Sequence, residues 1–233
     1  MKYLVLLEQH EVGSLNMHVQ TKSVLFLKPA NISFEEAAAT PVAGIVALQA
    51  INKCQPIING MSLLINGASG GVGSFVLQLA KSYGTTITAT CSTKNVGTVK
   101  SNGADEIIDY TKTDFTKQTR KYDVIIAVNG FRSIWQYKNI LNKNGKYVAV
   151  GGEIKQIFQA LFWGPIVSLF GNKKMMFLGI SKTNSKDLET LAFLLETGKI
   201  IPRIDKTFPL SQAVEAFEYV LNKHAQGKVV LTI

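Results

Sequence analysis

The sequence predicts an α/β protein with a doubly wound parallel sheet, and two observations carry this prediction. From residue 62 onward, short apolar runs alternate with stretches of helical periodicity. The runs are continuously apolar, as over 124–128, which is typical of parallel strands covered by helices on both faces. Strands are expected at 62–66, 86–90, 106–108, 122–128 and 146–150, with helices between them at 71–83, 94–102 and 133–142.

Further elements flank this alternation. Ser33 and Glu36 have the spacing of a capping box, which predicts a helix that is interrupted near Pro41. The later signals are Asn184 as the cap of a helix over 185–197, Ser211 as the cap of a helix over 212–222, and an apolar closing strand over 229–233.

A glycine cluster follows the first strand of the alternation, and helical spacing resumes at Ser74. Glycines let backbone N–H groups approach a pyrophosphate, and the following helix presents the positive end of its dipole to it. The cluster therefore predicts a dinucleotide site; the alternative, a tight turn without a ligand, rarely needs so many glycines. The candidate residues are Ala68, Ser69, Gly70, Gly71, Val72 and Gly73.

The end of the second strand predicts which dinucleotide is bound. NAD enzymes usually place a carboxylate there for the ribose 2′-hydroxyl, whereas a 2′-phosphate needs a cation and hydroxyl donors. This strand ends without a carboxylate and continues into Ser92 and Lys94, which favours NADPH. The alternative is a helix-capping serine and a solvated lysine.

Charge and composition exclude several classes of partner. The 25 basic and 16 acidic side chains give a net charge of +9, but the basic residues are scattered along the chain. A nucleic-acid binder usually gathers them on one face, so no nucleic-acid partner is expected. The apolar opening ends at Glu8, too early for a signal peptide, and the predicted location is cytoplasmic.

The cysteines and histidines do not have the spacing of a metal site. Cys54 is expected near a helix end and Cys91 at a strand end, as reduced structural thiols. The three histidines, His10, His18 and His224, are too dispersed to form a ligand set, and no catalytic metal is expected.

Residues 154–180 are an unusually aromatic segment, broken at Gly164 and Pro165 and too short to span a membrane. Three interpretations are open. In order of preference they are a helix packed into the core, the lining of an apolar substrate pocket, and an interfacial membrane anchor through 154–170 on a basic protein.

Tyr219 and Lys223 have the spacing of the catalytic pair of short-chain dehydrogenases. That family begins almost directly with its glycine turn, whereas more than sixty residues precede Gly67 here. Only ten residues follow Lys223, too few for a substrate lid. The preferred interpretation is two neighbours on one face of an amphipathic helix.

As a whole, the sequence resembles the medium-chain dehydrogenase/reductase superfamily in its zinc-independent quinone oxidoreductase branch, near the reticulon-interacting and chloroplast-envelope proteins. The match spreads over most of the chain in the family's order. It rests on Lys28 to Ala39, Pro41 to Gly44, Ala47 to Ala50, Asn66 to Gly73, Cys91 to Thr93, Gly103 to Asp105, Ile108 to Tyr110, Gly151-Gly152, and His224 to Val230.

The resemblance implies further site residues. Ser92, Lys94 and Tyr110 would surround the adenosine 2′-phosphate. The nicotinamide side would be flanked by Asn129, Gly130, Gly151 and Gly152, and the cofactor would be covered by Gly227 and Lys228. No residue is assigned as a general acid, because a reduced quinone is a stabilised anion that solvent can protonate.

The resemblance also implies a domain division and a function. Residues 1–32 would be the remnant of a GroES-like substrate domain, 33–202 the Rossmann NADP-binding domain, and 203–233 a segment returning to the GroES-like domain. The expected activity is NADPH-dependent hydride transfer to a lipophilic quinone, enone or related carbonyl compound, weakened by the short N-terminus. The alternative is a cofactor-binding but idle domain that acts as a sensor or interaction module. Family dimers often join sheet edges, which makes 175–180 the candidate strand of a homodimer.

Overall fold

The computed structural model describes residues 3–5, 25–223 and 225–233, and its centre is a six-stranded parallel sheet. Its strands are β3 Ser62–Asn66, β4 Thr86–Cys91, β5 Glu106–Asp109, β6 Tyr122–Ala127, β7 Leu141–Ala149 and β8 Lys174–Phe177. Their spatial order is β5-β4-β3-β6-β7-β8. Because β3 pairs with both β4 and β6, the strand order reverses beside β3, and a crevice forms at the carboxyl ends there.

Helices cover both faces of the sheet, which confirms the doubly wound class. Leu63 and Ile65 belong to one apolar core and the intervening Leu64 to a second, as the alternation of side chains along a strand requires. The helices are α1 Phe34–Ala39, α2 Pro41–Lys53, α3 Gly71–Lys81, α4 Val96–Ser101, α5 Ile134–Asn139, α6 Ile154–Leu169, α7 Ser185–Glu196 and α8 Ala213–Lys223.

Two small sheets accompany the central one. Strand β1, Tyr3–Val5, pairs antiparallel with β2, Leu25–Leu27. Strand β9, Ile204–Pro209, pairs parallel with β10, Lys228–Thr232, which is the expected closing strand shifted by one residue. The three-way domain division predicted from the sequence stays a prediction.

Most predicted helix starts are confirmed by their caps. The Ser33 hydroxyl accepts from the Glu36 amide at 3.1 Å, and the Glu36 carboxylate accepts from the Ser33 amide at 2.8 Å. Pro41 opens α2, where its missing N–H costs nothing. The Asn184 side chain accepts from the Asp187 amide at the start of α7.

Three predictions near helix ends are wrong. The helix expected over 133–142 ends at Asn139, and β7 begins at Leu141 rather than at 146. Leu141 pairs with Tyr122, then a register shift and the positive φ of Asn144 bring the strand back into line. Ser211 does not cap α8, because Leu210–Gln212 form a turn of 3-10 helix before it.

Smaller boundary differences follow the same pattern. The helix expected over 71–83 ends at Lys81, and the one expected over 94–102 divides into a 3-10 turn, Thr93–Asn95, and α4. Cys54 caps the end of α2 and Cys91 is the last residue of β4; both are buried free thiols, as expected.

Helix α6 does not bury its large apolar side chains, so the preferred interpretation of 154–180 as a core-packed helix is wrong for them. Its inward face consists of Gln156, Ala160, Gly164 and Val167, while Phe158, Phe162 and Trp163 are about half exposed. Across the residues that the structure describes, no helix has the length and apolar character needed to cross a membrane.

Candidate active site

The glycine turn between β3 and α3 is built by close backbone packing. Gly67 has a φ of +86°, which only glycine adopts without strain. A Cβ atom on Gly73 would overlap the carbonyl oxygen of Gly67 and lie 2.8 Å from the Cα of Ala68. The first turn of α3 therefore packs directly on the turn, and glycine is required at both positions.

The start of α3 lacks a side-chain cap. Gly70 is the N-cap residue and offers no side-chain acceptor, so the first-turn N–H groups, which have no partner within the helix, face the crevice. Gly71 and Val72 are partly exposed there, as is Ser69, while Ala68 is buried beneath the turn. This arrangement fits an anionic group with two or more oxygens, such as a pyrophosphate.

Two further loops meet the glycine turn at the same edge of the sheet. A Cβ on Gly67 would lie 3.0 Å from the amide nitrogen of Asn129, in the loop after β6. A Cβ on Gly152, after β7, would lie 2.5 Å from the carbonyl oxygen of Gly130, and one on Gly151 would lie 3.1 Å from that of Val128. The structure thus brings together three predicted loops that are far apart in the sequence.

The C-terminal segment closes over the glycine turn. A Cβ on Gly71 would lie 2.7 Å from Cδ of Lys228 and 3.5 Å from the carbonyl oxygen of Gly227. Burial lowers the pKa of Lys228 from its ordinary value. Within the described part of the chain, no carboxylate forms an ion pair with this ammonium, so a bound phosphate would be its first counter-charge.

The predicted adenosine-side residues also lie at this edge. Lys94 and Tyr110 are exposed and Ser92 is partly exposed, and the Tyr110 amide donates to the carbonyl oxygen of Cys91 at 3.1 Å. This hydrogen bond holds the ends of β4 and β5 side by side. The lysine and the tyrosine follow neighbouring strands, as a common pocket requires.

Asp109, at the end of β5, is a carboxylate at this edge that was not among the predicted site residues. One oxygen accepts from the Thr93 hydroxyl at 2.5 Å, and the other accepts from the hydroxyl and amide of Thr111 at 2.6 and 3.0 Å. The side-chain bonds from Thr111 and Thr93 lower the pKa of Asp109. Its oxygens are thereby engaged within the protein.

Asn66 ties the crevice together and was also missed as a site residue. Its side-chain amide donates to the carbonyl oxygen of Asn129 and to the Tyr137 hydroxyl, both at 2.8 Å. Its side-chain oxygen accepts from the Thr90 hydroxyl at 2.6 Å. Asn66 is buried, so one side chain fixes the ends of β3, β4 and β6 and the position of α5. A polar residue closing an apolar strand was the available signal.

The side chains in the described residues do not form a zinc site. Nowhere within the described ranges do three His, Cys, Asp or Glu side chains come together. Burial raises the pKa of Cys54 to about 12 and that of Cys91 to about 11, which disfavours the thiolate that binds metal. The three histidines lie outside the described residues.

Tyr219 contacts β9. Its hydroxyl donates to Asp205 of β9 at 2.9 Å, and its ring packs against Phe208. The side chain of Lys223 lies outside the described part, so its position relative to Tyr219 stays a prediction.

A doubly wound sheet with a glycine-lined crevice at the carboxyl ends of its strands is the architecture of a dinucleotide-binding domain. Residues 102–231 match the family model described as zinc-binding dehydrogenase. The chain is 31% identical over 228 residues to the chloroplast envelope quinone oxidoreductase homolog of Arabidopsis thaliana, covering 94% of this chain and 68% of that protein. It therefore belongs to the quinone oxidoreductase-like branch of the medium-chain dehydrogenase/reductase superfamily, as the sequence predicted.

Two other comparisons agree with this assignment. The NADPH-dependent alkenal/one oxidoreductase of Arabidopsis thaliana is 33% identical over 226 residues, covering 95% of this chain and 53% of that protein. The structure of the quinone oxidoreductase from Coxiella burnetii superposes with a TM-score of 0.79 at 30% identity, over 90% of this chain and 64% of that one. The chain thus spans between about half and two thirds of the length of these relatives.

Proposed function

We propose that this protein is an NADPH-dependent reductase that transfers hydride to quinones, enones or related carbonyl compounds without zinc. The main structural support is that the glycine turn, the loops after β6 and β7, and Lys228 lie close together at one edge of the sheet. The names of the relatives support the acceptor class, since they describe quinone and alkenal/one oxidoreductases.

The chain's residues would bind and orient the cofactor. Backbone N–H groups at Gly70 to Gly73 would hold the pyrophosphate, with the Lys228 ammonium above it. Asn129, Gly130, Gly151 and Gly152 would flank the nicotinamide, which supplies the hydride when bound. Close positioning of the two reactants, rather than a general acid, would provide most of the rate enhancement.

The preference for NADPH rests on the ends of β4 and β5. Ser92, Lys94 and Tyr110 offer two hydroxyls and a cation to a 2′-phosphate. The carboxylate of Asp109 directly precedes Tyr110 in the sequence, and its oxygens already accept hydrogen bonds from Thr93 and Thr111. It is therefore poorly suited to accept from a ribose hydroxyl.

Calorimetry on the Lys94→Ala variant tests the cofactor preference. Loss of one partly exposed charge-assisted contact should weaken NADPH binding by about 1–2 kcal/mol and leave NADH binding nearly unchanged. Lys100→Ala, an exposed lysine on α4, is the matched control and should change neither. An equal loss for both cofactors would place the adenosine pocket elsewhere.

NADPH oxidation with a panel of quinones and enones tests the activity, measured beside direct NADPH binding and with a chelator present. Binding with chelator-insensitive turnover supports the proposal. Binding without turnover would favour the alternative, an idle cofactor-binding module. This outcome is a real alternative because the relatives whose names describe the activity are longer than this chain. If the chelator removed bound zinc and turnover stopped, zinc independence would be refuted. If the protein did not bind NADPH at all, the proposed function would be refuted.

A further inference from the structure

The outward face of α6 is an exposed aromatic surface. We define it by Phe158, Phe162, Trp163, Ile166, Leu169 and Phe170, whose exposed fractions range from 46% to 83%. Trp135 of α5 extends it, with its ring centroid 6.1 Å from that of Trp163. Exposed apolar patches of this size usually mark interaction sites.

The backbone holds this face outward. A Cβ on Gly164 would lie 2.7 Å from the carbonyl oxygen of Met175, so α6 lies directly on the edge strand β8. Ser168 strengthens the contact by accepting from the Met175 amide at 2.8 Å. With its small-residue face committed to β8, the helix cannot rotate to bury the aromatic side chains.

Four lysines lie at the C-terminal end of the aromatic surface. Lys121, Lys138, Lys143 and Lys173 line one open concavity of about 340 Å³ together with Phe170. Burial lowers the pKa of Lys173, and the charges of Lys121 and Lys138 add to this effect. None of the four takes part in an ion pair among the residues that the structure describes.

We propose that the aromatic surface and the four lysines dock the protein on an anionic lipid bilayer. Helix α6 would lie in the interfacial plane with its aromatic side chains at the boundary between headgroups and acyl chains. The lysines would contact lipid phosphates, and the two tryptophans would take the interfacial position that this residue type prefers.

The charge distribution favours a bilayer over a second copy of the chain. A second copy carries the same four lysines, for which the described residues provide no ion-pair partner, and the same net charge of +9. An anionic bilayer supplies the missing counter-charge and accepts the apolar face at the same time. The inference does not depend on the proposed enzymatic activity.

The two tryptophans of the chain provide a native probe, because both lie on this surface. Vesicles of phosphatidylcholine alone are compared with vesicles that also contain phosphatidylserine. Only the anionic vesicles should co-sediment the protein and shift its tryptophan emission to the blue, and brominated acyl chains should quench that emission. Equal binding to both kinds of vesicle would overturn the electrostatic part of the proposal.

Two sets of substitutions on this surface separate the contributions. The apolar set should weaken partition onto anionic vesicles at least tenfold, and the lysine set roughly a hundredfold. The apolar set is Phe162→Ser, Leu169→Ser and Phe170→Ser, and the lysine set is Lys138→Gln, Lys143→Gln and Lys173→Gln. Matched controls on other exposed surfaces are Phe193→Ser, Ile201→Ser and Leu221→Ser, and Lys53→Gln, Lys100→Gln and Lys186→Gln.

The controls should leave partition within twofold of the unsubstituted protein, and circular dichroism verifies that every variant is folded. Equal losses in test and control sets would overturn the proposal. So would an absence of vesicle binding combined with a dimer, seen by sedimentation velocity, that the apolar set dissociates. In that case a second copy covers the surface.

Discussion

Asn66→Ala should lower both stability and cofactor affinity. The substitution removes three side-chain hydrogen bonds, to Asn129, Tyr137 and Thr90. At about 1 kcal/mol net for each bond, the free energy of unfolding should fall by about 3 kcal/mol, because buried partners lose their acceptor or donor. For a chain of this size that corresponds to a fall in melting temperature of about 6–12 °C.

Urea unfolding and calorimetric NADPH binding measure the two effects. Tyr137→Phe removes a single hydroxyl of the same network and should cost only about 1 kcal/mol. Asn142→Ala removes one bond, to Asp123, away from the crevice, and should leave NADPH affinity unchanged. A loss below 1 kcal/mol for Asn66→Ala, or unaltered NADPH affinity, would show that Asn66 does not hold the crevice together.

Three further predictions concern single residues. Gly73→Ala should cost about 1–3 kcal/mol of stability, because the new methyl group would overlap backbone atoms of the glycine turn. Calorimetry should also show NADPH binding weakened at least tenfold. Gly97→Ala, which places its methyl group in open space, is the control and should have neither effect. Because burial lowers the pKa of Lys228, its ammonium should lose its proton, and NADPH affinity should fall, at a pH below the ordinary lysine pKa of about 10.4. Lys228→Met should abolish this pH dependence, and a variant with the same pH profile of NADPH affinity would contradict the prediction. Burial alone would raise the pKa of Asp123, but bonds from Ser62 and Asn142 lower it overall. Its stabilising effect is therefore complete above the unfolded pKa of about 3.9 and lost as pH falls through the lower folded value; acid unfolding of Asp123→Asn that retains the same pH dependence would refute it.

The sequence predicted the sheet well where hydrophobic runs are bounded by strong local signals. β3 is confirmed over 62–66 because its apolar run ends at a glycine turn. The start of β7 was predicted wrongly because Leu141 pairs with Tyr122 across a register shift. That pairing depends on the position of the neighbouring strand and leaves no signal in the local sequence. Likewise, α6 was misassigned because its periodicity shows that one face differs from the other, but not which neighbour covers it.

The same distinction separates the predicted from the missed site residues. Gly70, Gly71 and Gly73 were predictable because a missing side chain has a local meaning next to a strand end. Asn66 acts through partners more than twenty residues away, and Asp109 joins its neighbour Thr111 to Thr93, which lies sixteen residues earlier. These roles therefore exist only once the strand register is fixed. A sequence can therefore place the phosphate-binding backbone before its supporting polar network. In this fold, the supporting residues are best sought at the last positions of the central strands.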